Sequence, residues 1–339
     1  MNLLNTLSMA GILPLTEFPV PEPSGNLWVP EQPDSFWEGV REIVLKALPE
    51  LQPALAEGLW ACLVILAVVL LVAVVRTFPG STEQAVELAG AVATGTLLLR
   101  STHSLVGLGV DTVRQLSEYG KLLLPVMAAA LAGSGGTVTS AALYGGTVIF
   151  DTVLSSLITR FLVPMIYVYL CLCVANQALG EDTLKKLADL LKWLMTWGLK
   201  IILYLFTGYI GLTGVVSGTT DAAAMKAAKL TVSGMIPVVG GILSDASEAV
   251  LIGADAAKNA VGIYGMLAVL AIWLRPFLEI GVQYLLLKAT AAVCGIFGTK
   301  RSVGLVKDYS GAMGLLLAMT GACCFLLLVS LICFLKGVG

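Results

Sequence analysis

This chain is short of charge. Lysine, arginine, aspartate and glutamate make up 12% of its 339 residues, against roughly 25% in an average soluble domain, so it cannot cover a water-facing surface with solvated side chains. Histidine is scarcer still. His103 is the only one, which excludes an H-E-x-x-H helix and any zinc set built on several imidazoles. No G-x-x-x-x-G-K-[ST] occurs, so no P-loop binds a nucleotide. "AGSGGTVTS" (132–140) is rich in glycine but lacks the lysine and a preceding strand. A net charge of −2 offers no basic field to nucleic acid. Nothing assembles a nucleophile, a base and an oxyanion donor. The chain therefore reads as neither an enzyme nor a binder of metals or cofactors.

Cysteine is present, but not as a framework. All seven cysteines lie inside apolar segments, where the thiol behaves as a small hydrophobe. Cys171 and Cys173 are two apart, which places them on different faces of a helix.

What the chain has is apolar length. Hydrophobic residues reach 58% and the mean hydropathy is +0.92. Several runs meet the roughly 18 apolar residues that suggest a membrane span. The expected fold is all-α, a polytopic transmembrane bundle of about seven or eight helices with interrupted segments. Two domains are expected, an N-terminal segment over 1–57 and a membrane domain over 58–339. The first is rich in proline up to residue 33 and carries eight acidic residues against Arg41 and Lys46. From Ser35 it changes character: Ser35 and Glu38 form a capping box, and Phe36, Val40, Ile43, Val44 and Ala47 repeat at helical spacing. That predicts an amphipathic helix lying on the membrane or the bundle. The opening "MNLLNTLSMAGILP" lacks the basic region and long apolar core of a secretory signal.

Spans are expected over 58–75, 161–175, 193–216, 261–274, 280–298 and 311–335. A weaker helix is expected over 85–99, an amphipathic stretch over 101–120, and apolar segments broken by glycine from 121 onward. The link "TKRSVGLVKDYS" (299–310) carries Lys300, Arg301 and Lys307 against Asp308, and the positive-inside rule makes it cytoplasmic.

Two breaks resemble each other. Gly135-Gly136 interrupts one apolar stretch ahead of Asp151. Pro237 and Gly240-Gly241 interrupt another ahead of Asp245. Backbone at membrane depth must satisfy its polar groups within protein or against water, and paired breaks point to a transport path. Small residues also serve close helix packing, and a plain loop would explain 237–248 as well. Asp245 with Glu248 fits the N-terminus of a helix beginning after the glycines. Asp151, Lys200, Glu279 and Lys288 are lone ionisable groups in apolar surroundings and hence candidates for function. Glu279 has Arg275 one turn before it as a simpler explanation. Gly208, Gly211 and Gly214 in one span, and Gly311 and Gly314 in another, are expected to pack against other helices.

Two passages carry a resemblance. "MAAALAGSGGTVTSAALY" (127–144) and the long stretch from "AAAMKAAKLTVSGMIPVVGGILSDASEAVLIGADAAKNAVGIYGM" (222–266) are similar to the two signature regions of the stage III sporulation protein AE family. Their order along the chain agrees with the family as well. The resemblance implies an extracytoplasmic N-terminal segment and a place in the mother-cell-derived membrane around the forespore of an endospore former. It implies membership of the channel complex joining the two cells. Implied partners are the other proteins of the stage III sporulation A operon, including a cytoplasmic ATPase and ring-forming proteins, and stage II sporulation protein Q. It supplies no catalytic or ligand residues. The expected function is a membrane pore or export gate of that complex, acting as a homo-oligomer in contact with lipid. Its rivals are a stand-alone secondary transporter, with Asp151 and Asp245 binding a coupling ion, and a non-conducting scaffold.

Overall fold

A computed structural model describes residues 36–78, 83–180, 182–235, 240–297 and 300–336, with 214–257 and a few helix-end residues described as backbone only. The described residues are helical throughout apart from short turns. Seven α-helices follow one another: α1 (Phe36–Val75), α2 (Glu83–Gly133), α3 (Thr137–Leu157), α4 (Val163–Leu179), α5 (Asp182–Met235), α6 (Gly240–Phe297) and α7 (Lys300–Lys336). A five-residue π-turn, Ile158–Leu162, joins α3 to α4. Pro164 has no N–H to give the carbonyl four residues back. The chain absorbs that loss by one extra residue in the turn, and the Val163 N–H bonds Ile158 O instead.

Five stretches among the described residues are long and apolar enough to cross a membrane: Phe36–Val75, Thr137–Leu179, Thr183–Thr213, Lys258–Ile296 and Ser302–Lys336. α2 is as long as they are, but it is absent from this group. The fold is the expected all-α polytopic bundle, with longer helices among the described residues than the sequence suggests.

The surface helix expected from Phe36 and the span expected from Gly58 are one 40-residue helix containing Pro49 and Pro53. Both prolines are exposed and four apart, on one outer face, so the carbonyls they leave unpaired point away from the core. The inner face, with Ile43, Leu51 and Gly58 buried, packs on α6. Likewise Gly145-Gly146 does not break α3, and the span expected to end near Val216 continues unbroken to Met235.

Contacts fix the directions. Gly39 lies against Leu267 and Gly58 against Gln283 and Leu286, so α1 and α6 run parallel. Gly109 of α2 sits near Leu316, Ile280 and Thr320, and Gly120 lies against Leu327, so α2 runs parallel to α7 and antiparallel to α6. α7 touches α2, α3, α4, α5 and α6, with Tyr309, Met313, Leu326 and Phe334 buried along its length. It is the central post. The turns α1–α2, α4–α5 and α6–α7 fall at one end of the bundle, and α2–α3 at the other.

Candidate functional site

The first break is closed by its own backbone. Gly135 adopts φ 99, a left-handed conformation that glycine takes without strain. Its N–H bonds Ala132 O at 3.1 Å, and the Gly136 N–H bonds Leu131 O at 3.1 Å, the paired bonds of a Schellman cap. Ser140 Oγ then donates to Ala128 O across the turn at 2.8 Å. Gly135 and Gly136 thus build a tight helical hairpin, α2 to α3. Those amides are satisfied, so the turn leaves none of them to line a path.

About four turns into α3 the hairpin holds Asp151. The residue is 3% exposed. Ser117 Oγ of α2 donates to Asp151 Oδ2 at 2.6 Å, while Oδ1 has no hydrogen-bond partner. Lys121 lies one turn beyond Ser117 on α2. A second polar link, Thr147 Oγ1 to Ser330 Oγ at 2.9 Å, ties α3 to α7 one turn away. Taking a carboxylate out of water is costly unless hydrogen bonds repay it. A buried Asp with one oxygen bonded and one bare therefore costs the fold stability.

The other expected residues are dispersed. Pro237 lies outside the described residues. α6 begins at Gly240, so Gly240 and Gly241 start that helix and Asp245 lies inside it. This corrects the expectation of a helix beginning after the glycines: they can occupy the first turn, and the helix needs no cap at 245 to start. Arg275 does bond Glu279 (Nε to Oε1, 3.0 Å), and it reaches Glu50 of α1 as well (2.9 Å). Lys288 lies over the Tyr284 ring at 4.8 Å, and Lys200 is exposed. Gly311 and Gly314 face Lys192 and Tyr284 on neighbouring helices. Gly208 and Gly211 instead face open space, where an added Cβ would meet nothing. The exposed face of α5 holds them outside the chain's own packing. The side-chain surroundings of Gly214 lie outside the described residues.

The sequence matches the family described as stage III sporulation protein AE over residues 33–337. The chain belongs to the stage III sporulation protein AE family. A curated relative of the same description, from Bacillus subtilis (strain 168), is 26% identical over 197 residues, or 58% of this chain. The match spans about half of that relative's length, 49%. No solved structure matches the chain. As a family member with five membrane-length apolar helices among its described residues, the chain is a multipass membrane protein with a role in sporulation.

One element of the site was visible in the sequence without a role. The amphipathic stretch 101–120 is the middle of α2, and it supplies Ser117 to Asp151. Its outward side chains include His103, whose Nδ1 is 2.9 Å from Tyr167 Oη, and the charged residues Asp111, Arg114, Glu118 and Lys121. The period-3.6 alternation of polar and apolar residues was the signal. Only the bundle shows that this helix runs beside membrane-length spans rather than on a surface.

Proposed function

We propose that this protein is a pore or export gate of the sporulation channel complex linking mother cell and forespore. It works as a homo-oligomer in the mother-cell-derived membrane around the forespore. Its partners are the other stage III sporulation A-operon proteins, including a cytoplasmic ATPase and ring-forming proteins, with stage II sporulation protein Q reached through the complex. The observation that carries this reading is α2, a helix that exposes Asp111, Arg114, Glu118 and Lys121 over about three turns beside membrane-length apolar helices. Lipid does not solvate such a face, whereas a pore does. Gly208 and Gly211, open in the single chain, offer close approach to a helix of another copy. Gly211→Leu is expected to leave the single chain's thermal stability unchanged and to disperse the oligomer on native gels.

The buried Asp151 favours a second reading, a secondary transporter that binds a coupling ion there. Efflux from liposomes holding the purified chain separates the readings. A pore releases small solutes without an ion gradient, a transporter releases them only with one, and a scaffold releases none.

A further inference from the structure

We propose that Asp111, Arg114, Gln115, Glu118 and Lys121 form the wall of an aqueous path that runs along α2 and opens into a cavity of mixed polar and apolar walls between α1, α2 and α6. The inference rests on the pore reading and names the surface that would line it. The five residues recur at three- and four-residue steps, so they share one helical face. All five are exposed, while Val113, Leu116, Ser117, Gly120 and Leu123 point into the bundle. Asp111, Arg114 and Glu118 make no ion pair or hydrogen bond with any described residue. Unpaired charges of this kind stay where water reaches them.

The face lies deep within the bundle. Ser117, between Arg114 and Glu118, bonds Asp151 in the apolar α3. Gly109 and Gly120 lie against Leu316 and Leu327, well inside the span Ser302–Lys336. At the same level another side of the molecule is apolar. Phe150, adjacent to Asp151, stacks edge-on against Phe206 of α5 at 5.5 Å. Around that contact Ile149, Val153, Ile201, Tyr204 and Leu205 are exposed, the tyrosine at 69%. One slab of protein thus shows lipid-compatible side chains on one side and unpaired charges on the other. A single copy cannot enclose the charged side, but a ring of copies does.

The face has a continuation. Following α2 toward its N-terminus, the exposed residues are Gly107, Ser104, His103 and Arg100. Ser104 and Arg100 enter a cavity of about 630 Å3 whose other polar walls are Glu57 of α1, Ser101 of α2, and Glu279 and Gln283 of α6. Polar side chains therefore recur on this side from Lys121 to Glu57, with Gly107 between Asp111 and Ser104. Over residues 111–121 two acids, Asp111 and Glu118, alternate with two bases, Arg114 and Lys121, so this stretch of the wall has no net charge. It suits small hydrophilic solutes of either sign rather than cations or anions alone.

The test is thiol labelling of the full chain in its membrane. Gln115→Cys and Glu118→Cys are compared with Leu205→Cys, using a charged thiol reagent offered on both sides and counting label above the parent protein. Thiolates form and react in water, so the two α2 positions are expected to label at least about tenfold faster than position 205. Gln115→Cys removes no charge, so a folding defect at Glu118 does not decide the outcome. Protection of both α2 positions, or equal labelling at all three, overturns the proposal. The pore reading is judged separately by solute efflux from the unsubstituted chain, so the two can fail independently.

Discussion

α2 and α5 each run alongside the central α7, and each presents a continuous outer face, yet the two faces have little in common. On α2 the outer positions are Asp111, Arg114, Gln115, Glu118 and Lys121. On α5 they are Trp193, Trp197, Ile201, Tyr204, Leu205 and Leu212, all between 45% and 71% exposed. Both helices are amphipathic, and both bury leucine inward. The difference lies in the solvent each outer face is built for. An amphipathic helix with an apolar exterior is a lipid-facing element. One with a charged exterior at the same depth needs water or a protein partner. A bundle carrying both has an inside and an outside in the plane of the membrane, which a scaffold anchored by lipid contacts alone does not require.

The contrast is broken most completely by making α2 resemble α5. Asp111→Leu, Arg114→Leu and Glu118→Leu together touch no buried contact, so the chain is expected to insert and to lose its function. Heat-resistant spore counts, beside carbonate extraction to confirm insertion, check this. The reverse exchange acts on insertion itself. Leu205→Arg places a charge on the lipid face at a cost of about 2.5–3.5 kcal/mol, and less extracted membrane protein is expected. Charge added beside Gln115 on α2 is expected to have no such effect.

A smaller effect sharpens the boundary between the two faces. Ser117→Ala removes the one hydrogen bond to the Asp151 carboxyl and is expected to cost about 1–3 kcal/mol, read as a lower Tm in detergent. Adding Asp151→Leu removes the stranded carboxyl and is expected to recover part of that loss. The smallest effect is at the exposed pair between α1 and α6. Glu50→Gln, at a side chain 54% exposed, is expected to change stability by no more than about 1 kcal/mol.

Composition alone gave the class of fold, because a chain with 12% charge and long apolar runs has few ways to fold other than across a membrane. The helix ends that sequence located well are those with strong local chemistry. Arg76 and "TFPG" end α1, and Gly135-Gly136 ends α2. Helix continuity was less legible. The surface helix from Phe36 read as separate from the span at Gly58, and glycine pairs as breaks in the stretch after 121, yet tertiary packing carries α1 through Pro49 and Pro53 and α3 through Gly145-Gly146. Within the helix, position 146 suits glycine because the Tyr209 ring occupies the space a side chain would take, a constraint that sequence spacing does not reveal. Asp151 was singled out for lacking a nearby cation, and it does lie buried. Its partner Ser117, 34 residues earlier, became visible only once the hairpin brought α2 and α3 together. The place of α2 was hidden for a similar reason: an amphipathic stretch over 101–120 does not show from its own pattern that its neighbours are membrane-length spans.

The claim that α2 faces water inside the membrane is tested most directly by the ion selectivity of the conducting chain. In a planar bilayer under a salt gradient, the unsubstituted protein should give a reversal potential near zero, as its balanced acids and bases require. Arg114→Glu with Lys121→Glu leaves the face wholly acidic, and the reversal potential should move clearly toward that of cations. A variant that conducts as well as its parent with unchanged selectivity would contradict the account.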